Sequence, residues 1–194
     1  MNEHQSVPVR IAVCGLQWYL ETGKPPSADS PAIAAIIGDI ESKGSLEDVE
    51  LLSSLRTRAA GVFVSYHLRD NDDLRGCIGT IAATTPNILA EICRNTVCAG
   101  TEDPRFKPIT QSELPTLTCS VDVLGTAEPI DGMDELDVKR YGVIVSKGWR
   151  RGLLLPDLDG VDTPAEQVAI ALLKAGIRQN EHYAMERFEV IRYE

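Results

Sequence analysis

The pattern of apolar and polar positions divides the chain into a helical first third and a longer part where strands and helices alternate. Residues 7–20 place apolar side chains at helical spacing on one face. Residues 32–58 predict two further short helices joined near Gly44, after the Pro- and Gly-containing run 23–31. We therefore expect three helices before the first strand.

After residue 60 the spacing changes to that of β-strands. The segment GVFVSYHL, the polar turn RDNDD and the segment LRGCIGTIA form a hairpin pattern. Pairing Leu68 with Leu74 collects the apolar side chains on one face of this hairpin. The same register collects polar and reactive side chains on the opposite face, namely Ser65, His67, Arg75 and Cys77.

This register makes a specific geometric prediction. His67 lies opposite Arg75, Ser65 lies opposite Cys77, and His67 and Cys77 are diagonal neighbours. A β-bulge at either glycine of the second strand would break the arrangement, because a bulge inserts an extra residue on one strand.

Further helices and strands follow the hairpin. Thr85 and Pro86 provide start signals for one helix, and a capping box at Thr163 begins another. Strands are predicted at residues 116–124, in a hairpin over 142–155 and in the final segment RFEVIRY. Hairpins mixed with helices, without a regular βαβ repeat, predict an α+β fold. We expect a mainly antiparallel sheet with packed helices, arranged as two lobes with a cleft between them.

Composition narrows the class of protein. The chain has 194 residues, of which 43% are hydrophobic and 25% charged, as in a soluble globular protein. A net charge of -10, with no basic run longer than Arg150-Arg151, argues against a general nucleic-acid partner. No apolar run approaches the length needed to cross a membrane, so we expect a cytoplasmic protein.

Cysteine is the first candidate for chemistry. The five cysteines form no paired spacing, so we expect neither a disulfide framework nor a metal site, and no cofactor is indicated. Cys14, Cys93 and Cys119 lie on apolar stripes and are assigned to the core. Cys77 shares its predicted face with Arg75 and His67, and nearby positive charge favours the reactive thiolate. The alternative is that Cys77 packs beneath a helix as a small apolar residue.

Arginines are the second candidate. Arg75 and Arg105 could each bind an anionic group through two parallel hydrogen bonds. The alternative for each is an internal ion pair, for Arg105 with Asp103 or Glu102. Ser65 shares the face of Cys77 and joins the predicted ligand-binding residues. Gly76 and Gly79 join them because a residue without a Cβ atom permits close approach to the backbone.

Several motifs resemble those of the AMMECR family, named for the AMME chromosomal region. They are LRGCIGT, DPRFKP, SVDVL with a following EPI, RRGLLLP and KAGI, in the family's order. The resemblance covers about residues 55–180 of a single domain spanning 1–194, with 28–53 as an expanded N-terminal connection. The chain departs from the family at Leu173, where a cysteine is common, and in lacking a frequent tryptophan after KAGI.

The resemblance implies a two-lobed α+β domain without an established activity, and association with a Memo-like protein and a radical SAM protein. Combined with the residues, it leaves three hypotheses. The first is a small-ligand-binding protein or accessory enzyme component, with a cleft near LRGCIG and DPRF. In that cleft Arg75 and Arg105 would hold an anionic group and Cys77 would contact the reacting end. The second makes Cys77 a nucleophile activated by His67 or by the positive charge of the arginines. The third is an interaction module in which LRGCIG is a structural hairpin.

Overall fold

The computed structural model describes residues 5–194, so the first four residues of the predicted domain 1–194 lie outside the description. The contacts divide the chain into two compact units. The first contains the residues up to Val123 together with Arg192–Glu194, and the second contains Leu124–Ile191. The predicted α+β class is confirmed, while the predicted cleft stays a prediction. None of the described helices is long and apolar enough to cross a membrane.

The first unit combines four helices with a sheet. The helices are α1 (Val7–Thr22), α2 (Pro31–Lys43), α3 (Leu46–Thr57) and α4 (Ile88–Thr101). The strands are β1 (Val62–Leu68), β2 (Leu74–Gly79) and β3 (Leu117–Leu124), joined by the C-terminal strand β8 (Val190–Tyr193), in the order β2-β1-β3-β8. The three predicted N-terminal helices are confirmed, and a short 3₁₀ helix at Leu114–Thr116 precedes β3.

The second unit packs one helix against an antiparallel sheet. Its strands are β4 (Glu128–Ile130), β5 (Gly142–Lys147), β6 (Arg150–Leu154) and β7 (Ala184–Phe188), in the order β4-β7-β5-β6. The helix is α5 (Pro164–Ala175), and a 3₁₀ helix lies at Met133–Glu135. The predicted hairpin over 142–155 is confirmed, as is the capping box, in which Thr163 and Glu166 exchange hydrogen bonds.

The end of the chain differs from the prediction. The pattern of RFEVIRY predicts a single strand, but β7 and β8 are separate and belong to different sheets. The break falls at Glu189, whose carbonyl oxygen accepts a hydrogen bond from the backbone N–H of Gly125. Alternating apolar residues predict extended chain and carry no information about a change of sheet.

The start of α4 also differs. Thr85 was expected to cap it, but Asn87 is the N-cap and accepts a hydrogen bond from the backbone N–H of Ala90. The Thr85 hydroxyl instead bonds to the carboxylate of Glu91, which has no exposed surface. One face of α4 is nevertheless buried, namely Ile88, Leu89, Ile92, Cys93, Thr96 and Val97.

The first hairpin confirms the predicted register over most of its length and breaks it near the turn. Ser65 pairs with Cys77 and Tyr66 pairs with Gly76, as expected. Between Tyr66 and His67 the register shifts, so that His67 pairs with Leu74. The prediction that His67 lies opposite Arg75 is therefore wrong, because a bulge leaves Arg75 as the extra residue on β2.

The apolar face of this sheet packs against helices of the first unit. Tyr66 is almost completely buried there, and its hydroxyl bonds to Thr96 of α4. Gly76 shares this face, and a Cβ atom built on it would lie 2.2 Å from the carbonyl oxygen of Ala99. The absence of a side chain at Gly76 therefore allows α4 to pack directly on β2. The three cysteines assigned to the core, Cys14, Cys93 and Cys119, are all buried.

Candidate functional site

The other face of the sheet is polar. Strand pairing places Ser65 between Cys77 of β2 and Ser120 of β3, and Asp122 lies two residues further along β3. We call Ser65, Cys77, Ser120 and Asp122 the polar sheet face. Ser65 and Asp122 are buried and Cys77 is partly buried. The predicted pairing of Ser65 with Cys77 is thus confirmed, and two residues of β3 join them.

Arg75 is bound within the protein. Its Nε and Nη2 donate to Oε1 of Glu113 at 3.1 and 3.0 Å, and its Nη1 donates to the carbonyl oxygen of Lys107 at 2.8 Å. Glu113 is held in turn by the backbone N–H and hydroxyl of Thr110. Of the two interpretations of Arg75, the structure therefore has the internal ion pair, which fastens the loop after α4 to β2.

Asp103 connects the two family motifs. Its Oδ2 accepts a hydrogen bond of 2.9 Å from the backbone N–H of Cys77. Arg105 donates to the same carboxylate from Nε at 3.0 Å, from Nη2 at 2.7 Å and from its backbone N–H at 3.1 Å. These hydrogen bonds from Arg105, together with the one from Cys77, lower the pKa of Asp103 to about 2 although burial opposes the shift. Asp103 is therefore ionised at neutral pH.

The guanidinium of Arg105 is fixed on one edge and open on the other. Asp103 binds the Nε and Nη2 edge, and Nη2 also contacts the carbonyl oxygen of Cys77 at 3.3 Å. No hydrogen bond to Nη1 occurs within residues 5–194, and the side chain is 55% exposed. The predicted ion pair with Asp103 is present, and it leaves part of the cation available.

The thiol of Cys77 is not activated. Burial raises its pKa, and this effect outweighs the hydrogen bond with Ser65 and the charge of Arg105, which lower it. The carboxylates of Asp122 and Asp103 raise it further. Within the described chain no hydrogen bond joins Cys77 to His67. The thiol stays protonated at neutral pH.

Asp122 brings the C-terminal strand to this site. Arg192 donates from Nε at 2.8 Å and from Nη2 at 3.1 Å to the two carboxylate oxygens. The Asp122 side chain is 2% exposed, so the pair compensates a buried charge. The sequence contained a signal for Asp122, because it interrupts the run Val121–Val123 as a polar residue in a strand. It contained none for Arg192, which is distant along the chain.

The two signature glycines have packing roles. Gly76 faces the backbone of α4, as described above. A Cβ atom on Gly79 would lie 2.2 Å from the ring of Phe63, its partner on β1. The space that each glycine leaves is therefore filled by the protein itself. In the part of the chain that the structure describes, no group of three His, Cys, Asp or Glu side chains could hold a metal ion.

The first unit therefore has an α+β fold in which the buried carboxylate of Asp103 joins the LRGCIG strand to the DPRF loop. The family model AMMECR1 matches residues 21–194, so the chain belongs to the AMMECR1 family. A protein of Thermotoga maritima is 50% identical over 147 residues, which cover 75% of this chain and 84% of the relative. A protein of Thermofilum pendens is 35% identical over 192 residues, covering 92% and 81%.

The similar proteins also include a longer protein and one of known structure. A Clostridium acetobutylicum protein is 50% identical over 139 residues, which are 72% of this chain but only 29% of that longer protein. A solved structure of an uncharacterized protein from Pyrococcus horikoshii matches with a TM-score of 0.77 and 27% identity. The match covers 99% of this chain and 91% of the other. These relatives support the family and the fold, and none of their names states an activity.

Proposed function

We propose that this protein binds a small molecule that carries one anionic group, with Arg105 as the anion-binding residue and Cys77 beside it. The observation that carries the proposal is the arrangement around Asp103. This buried carboxylate fixes one edge of the Arg105 guanidinium and leaves Nη1 without a partner on a side chain that is 55% exposed. A cation held in place in this way loses little conformational freedom when an anion binds.

The neighbouring residues extend the proposed site. Asp103 also bonds to the backbone N–H of Cys77, so the motifs LRGCIG and DPRF hold Arg105 next to the polar sheet face. Cys77 and Ser65 then offer a neutral thiol and a hydroxyl to the uncharged part of the ligand. Arg75 has a supporting role, because it holds the loop that carries Arg105 through Glu113 and Lys107. A ligand contact by Gly76 or Gly79 is not needed.

Cys77 is not proposed as a nucleophile. Nucleophilic catalysis by cysteine needs a thiolate or a base in hydrogen-bond contact. Burial keeps the pKa of the Cys77 thiol raised, and no hydrogen bond joins the thiol to a histidine within the described residues. We therefore propose ligand binding at Arg105 and no covalent chemistry at Cys77.

The test measures the binding of small anions by NMR, through the chemical shift of the Cys77 amide. The probes are acetate and inorganic phosphate, titrated into the protein and into Arg105→Gln. We expect binding of at least one probe and a loss of roughly tenfold or more in Arg105→Gln, because a hydrogen bond to a charged group contributes about 1.5–3 kcal/mol. The matched control is Arg56→Gln, whose arginine is 50% exposed and paired with Glu41. Equal binding by Arg105→Gln would contradict the proposal.

A second candidate function, an interaction module, is favoured by Trp149. This side chain lies between β5 and β6 and is 92% exposed. Large exposed aromatic side chains often dominate protein interfaces. The partners implied by the family resemblance are a Memo-like protein and a radical SAM protein.

Its test mixes the purified chain with a purified Memo-like or radical SAM protein and measures association by calorimetry. We expect Trp149→Ala to weaken association at least tenfold. Leu46→Ala is the control, since Leu46 is 83% exposed and belongs to the other unit. No association of the unsubstituted chain with either partner, or an equal loss in both variants, would exclude this role for Trp149.

A further inference from the structure

The second unit contains a separate pocket of about 270 Å³ beside Tyr141. Its walls are the loop before β4, the residues preceding β5 and the end of β7. The lining residues that matter here are Glu128, Arg140, Tyr141, Arg187 and Glu189. We call this the Tyr141 pocket. Its volume is slightly below the ~300–1,000 Å³ typical of sites for drug-sized ligands, so it suits a smaller molecule.

Two arginines share the aromatic ring of this pocket. The guanidinium carbon of Arg187 lies 4.5 Å from the Tyr141 ring centroid, and that of Arg140 lies 4.9 Å from the same centroid. The Nε–H of Arg187 is buried and has no hydrogen-bond partner within the described residues. Stacking of the guanidinium on the ring compensates for that missing bond. The ring therefore fixes the positions of two cations.

Both arginines keep unused donors. Arg187 donates from Nη1 to the carbonyl oxygen of Glu135 at 2.8 Å, but its Nη2 lies 3.6 Å from Glu128, too far for a hydrogen bond. Arg140 donates from Nε to Glu189 at 2.7 Å, and neither of its Nη atoms has a hydrogen bond in residues 5–194. At least three terminal guanidinium nitrogens are thus available at the pocket for an anionic group.

The carboxylates limit which anion the pocket accepts. Glu128 and Glu189 balance the charges of Arg140 and Arg187, so the lining is neutral overall. A polyanion would be repelled by these two carboxylates. A ligand with one carboxylate and one ammonium group would use the arginine donors and the glutamate acceptors together, and would leave neither charge unpaired. Its uncharged part would contact the Tyr141 ring.

We propose that the Tyr141 pocket is a binding site for a small zwitterion of the α-amino acid class. The carboxylate bonds to Arg140 and Arg187, and the ammonium group bonds to Glu128 and Glu189. A network made only of surface ion pairs is the alternative, but such pairs contribute little to stability and need no shared ring or pocket. The site involves none of the residues assigned to anion binding at Arg105.

The experiment measures saturation-transfer NMR signals from a mixture of the standard α-amino acids, and then titrates the amino acid with the strongest signal. The same amino acid, acetate, ethylammonium and inorganic phosphate are then titrated separately into Arg105→Gln, so that the proposed anion site at Arg105 does not contribute. We expect an amino acid to bind at least tenfold more tightly than acetate or ethylammonium, since each of these satisfies only one half of the site. No amino acid signal at about 10 mM, or binding of phosphate or acetate to Arg105→Gln as tight as that of the amino acid, would overturn the proposal.

Variants locate the binding. Arg140→Gln and Glu189→Gln each remove one charge from a largely exposed side chain, and we expect each to weaken amino acid binding tenfold or more. Arg151→Gln is the matched control in the same sheet, because its arginine is 42% exposed and paired with Glu186. Amino acid binding should persist in Arg105→Gln, which separates this site from the one at Arg105. Unchanged binding in Arg140→Gln would refute the assignment.

Discussion

Replacing Asp103 by Asn tests the link between the LRGCIG strand and the DPRF loop. The substitution keeps the size of the side chain but removes the charge that accepts bonds from Arg105 and from the backbone N–H of Cys77. Asn has one oxygen acceptor, and its NH₂ group would face N–H donors. We therefore expect a loss of stability together with a loss of order at Arg105.

The size of the loss follows from the pKa of Asp103. The pKa falls from 3.8 to about 2 on folding. A lowered pKa stabilises the folded state above the unfolded pKa, and the contribution disappears as pH falls through the folded value. The linkage between proton binding and folding converts this shift into a contribution to the unfolding free energy of about 2.5 kcal/mol at pH 7 and about 1.3 kcal/mol at pH 3. Arg105 is 55% exposed, so solvent screening makes the actual contribution smaller than these values. We expect Asp103→Asn to lower the unfolding free energy by about 2 kcal/mol at pH 7.

The assay is urea denaturation of both proteins at pH 7, 5 and 3. The difference in unfolding free energy should be nearly equal at pH 7 and 5 and should fall by roughly half at pH 3. Asp39→Asn is the control, because Asp39 is 51% exposed and its ion pairs should contribute less than about 0.5 kcal/mol. A difference that stays constant from pH 7 to pH 3, or one as small as the control's, would refute the reasoning.

Three further predictions concern Glu91, Gly76 and Cys77. Burial raises the pKa of Glu91, but hydrogen bonds from threonines outweigh it and lower the pKa. In Glu91→Gln these hydrogen bonds lose their charged acceptor, so urea denaturation at pH 7 should show an unfolding free energy lower by roughly 2–4 kcal/mol. The loss should shrink as pH falls through the lowered pKa. Gly76→Ala should lower the unfolding free energy by about 1–3 kcal/mol, because the new Cβ atom meets the Ala99 carbonyl oxygen. Gly38→Ala in α2, where the space around the Cβ atom is open, should raise the unfolding free energy in the same assay. Iodoacetamide, followed by mass spectrometry, should modify Cys77 more slowly than free cysteine at pH 8, because burial raises its pKa.

Local patterns were sufficient to predict most helices and strands. The stripe of α4, the alternation of β3 and the capping box at Thr163 all depend on residues a few positions apart. Such patterns report which side of an element is buried, so the three core cysteines were also predicted correctly. The helix N-cap was wrong by two positions because Thr85 binds Glu91, and a competing partner of that kind is not visible in a capping pattern.

The site was harder to predict because its geometry depends on contacts between distant segments. Ser65 and Cys77 were placed together by the hairpin register, which holds as far as Tyr66. The bulge then removes Arg75 from the row, and it occurs where Arg75 binds Glu113, 38 residues along the chain. Nothing in the spacing of the hairpin itself indicates that partner, so a register that separates apolar from polar residues was favoured over the observed one.

Arg75 and Arg105 have different partners in the structure. Arg75 is directed to the loop at 107–113, where one carboxylate and backbone carbonyls bind its donors. Arg105 meets a carboxylate that already accepts a bond from Cys77, so Asp103 occupies only one edge of its guanidinium. The first arginine therefore builds the loop that positions the second. A substitution at Arg75 should consequently reduce anion binding, because that loop becomes disordered. Arg75→Lys should reduce anion binding less than an uncharged substitution, because lysine keeps the charge beside Glu113. Lysine cannot reproduce the forked contact, so the binding should not return in full.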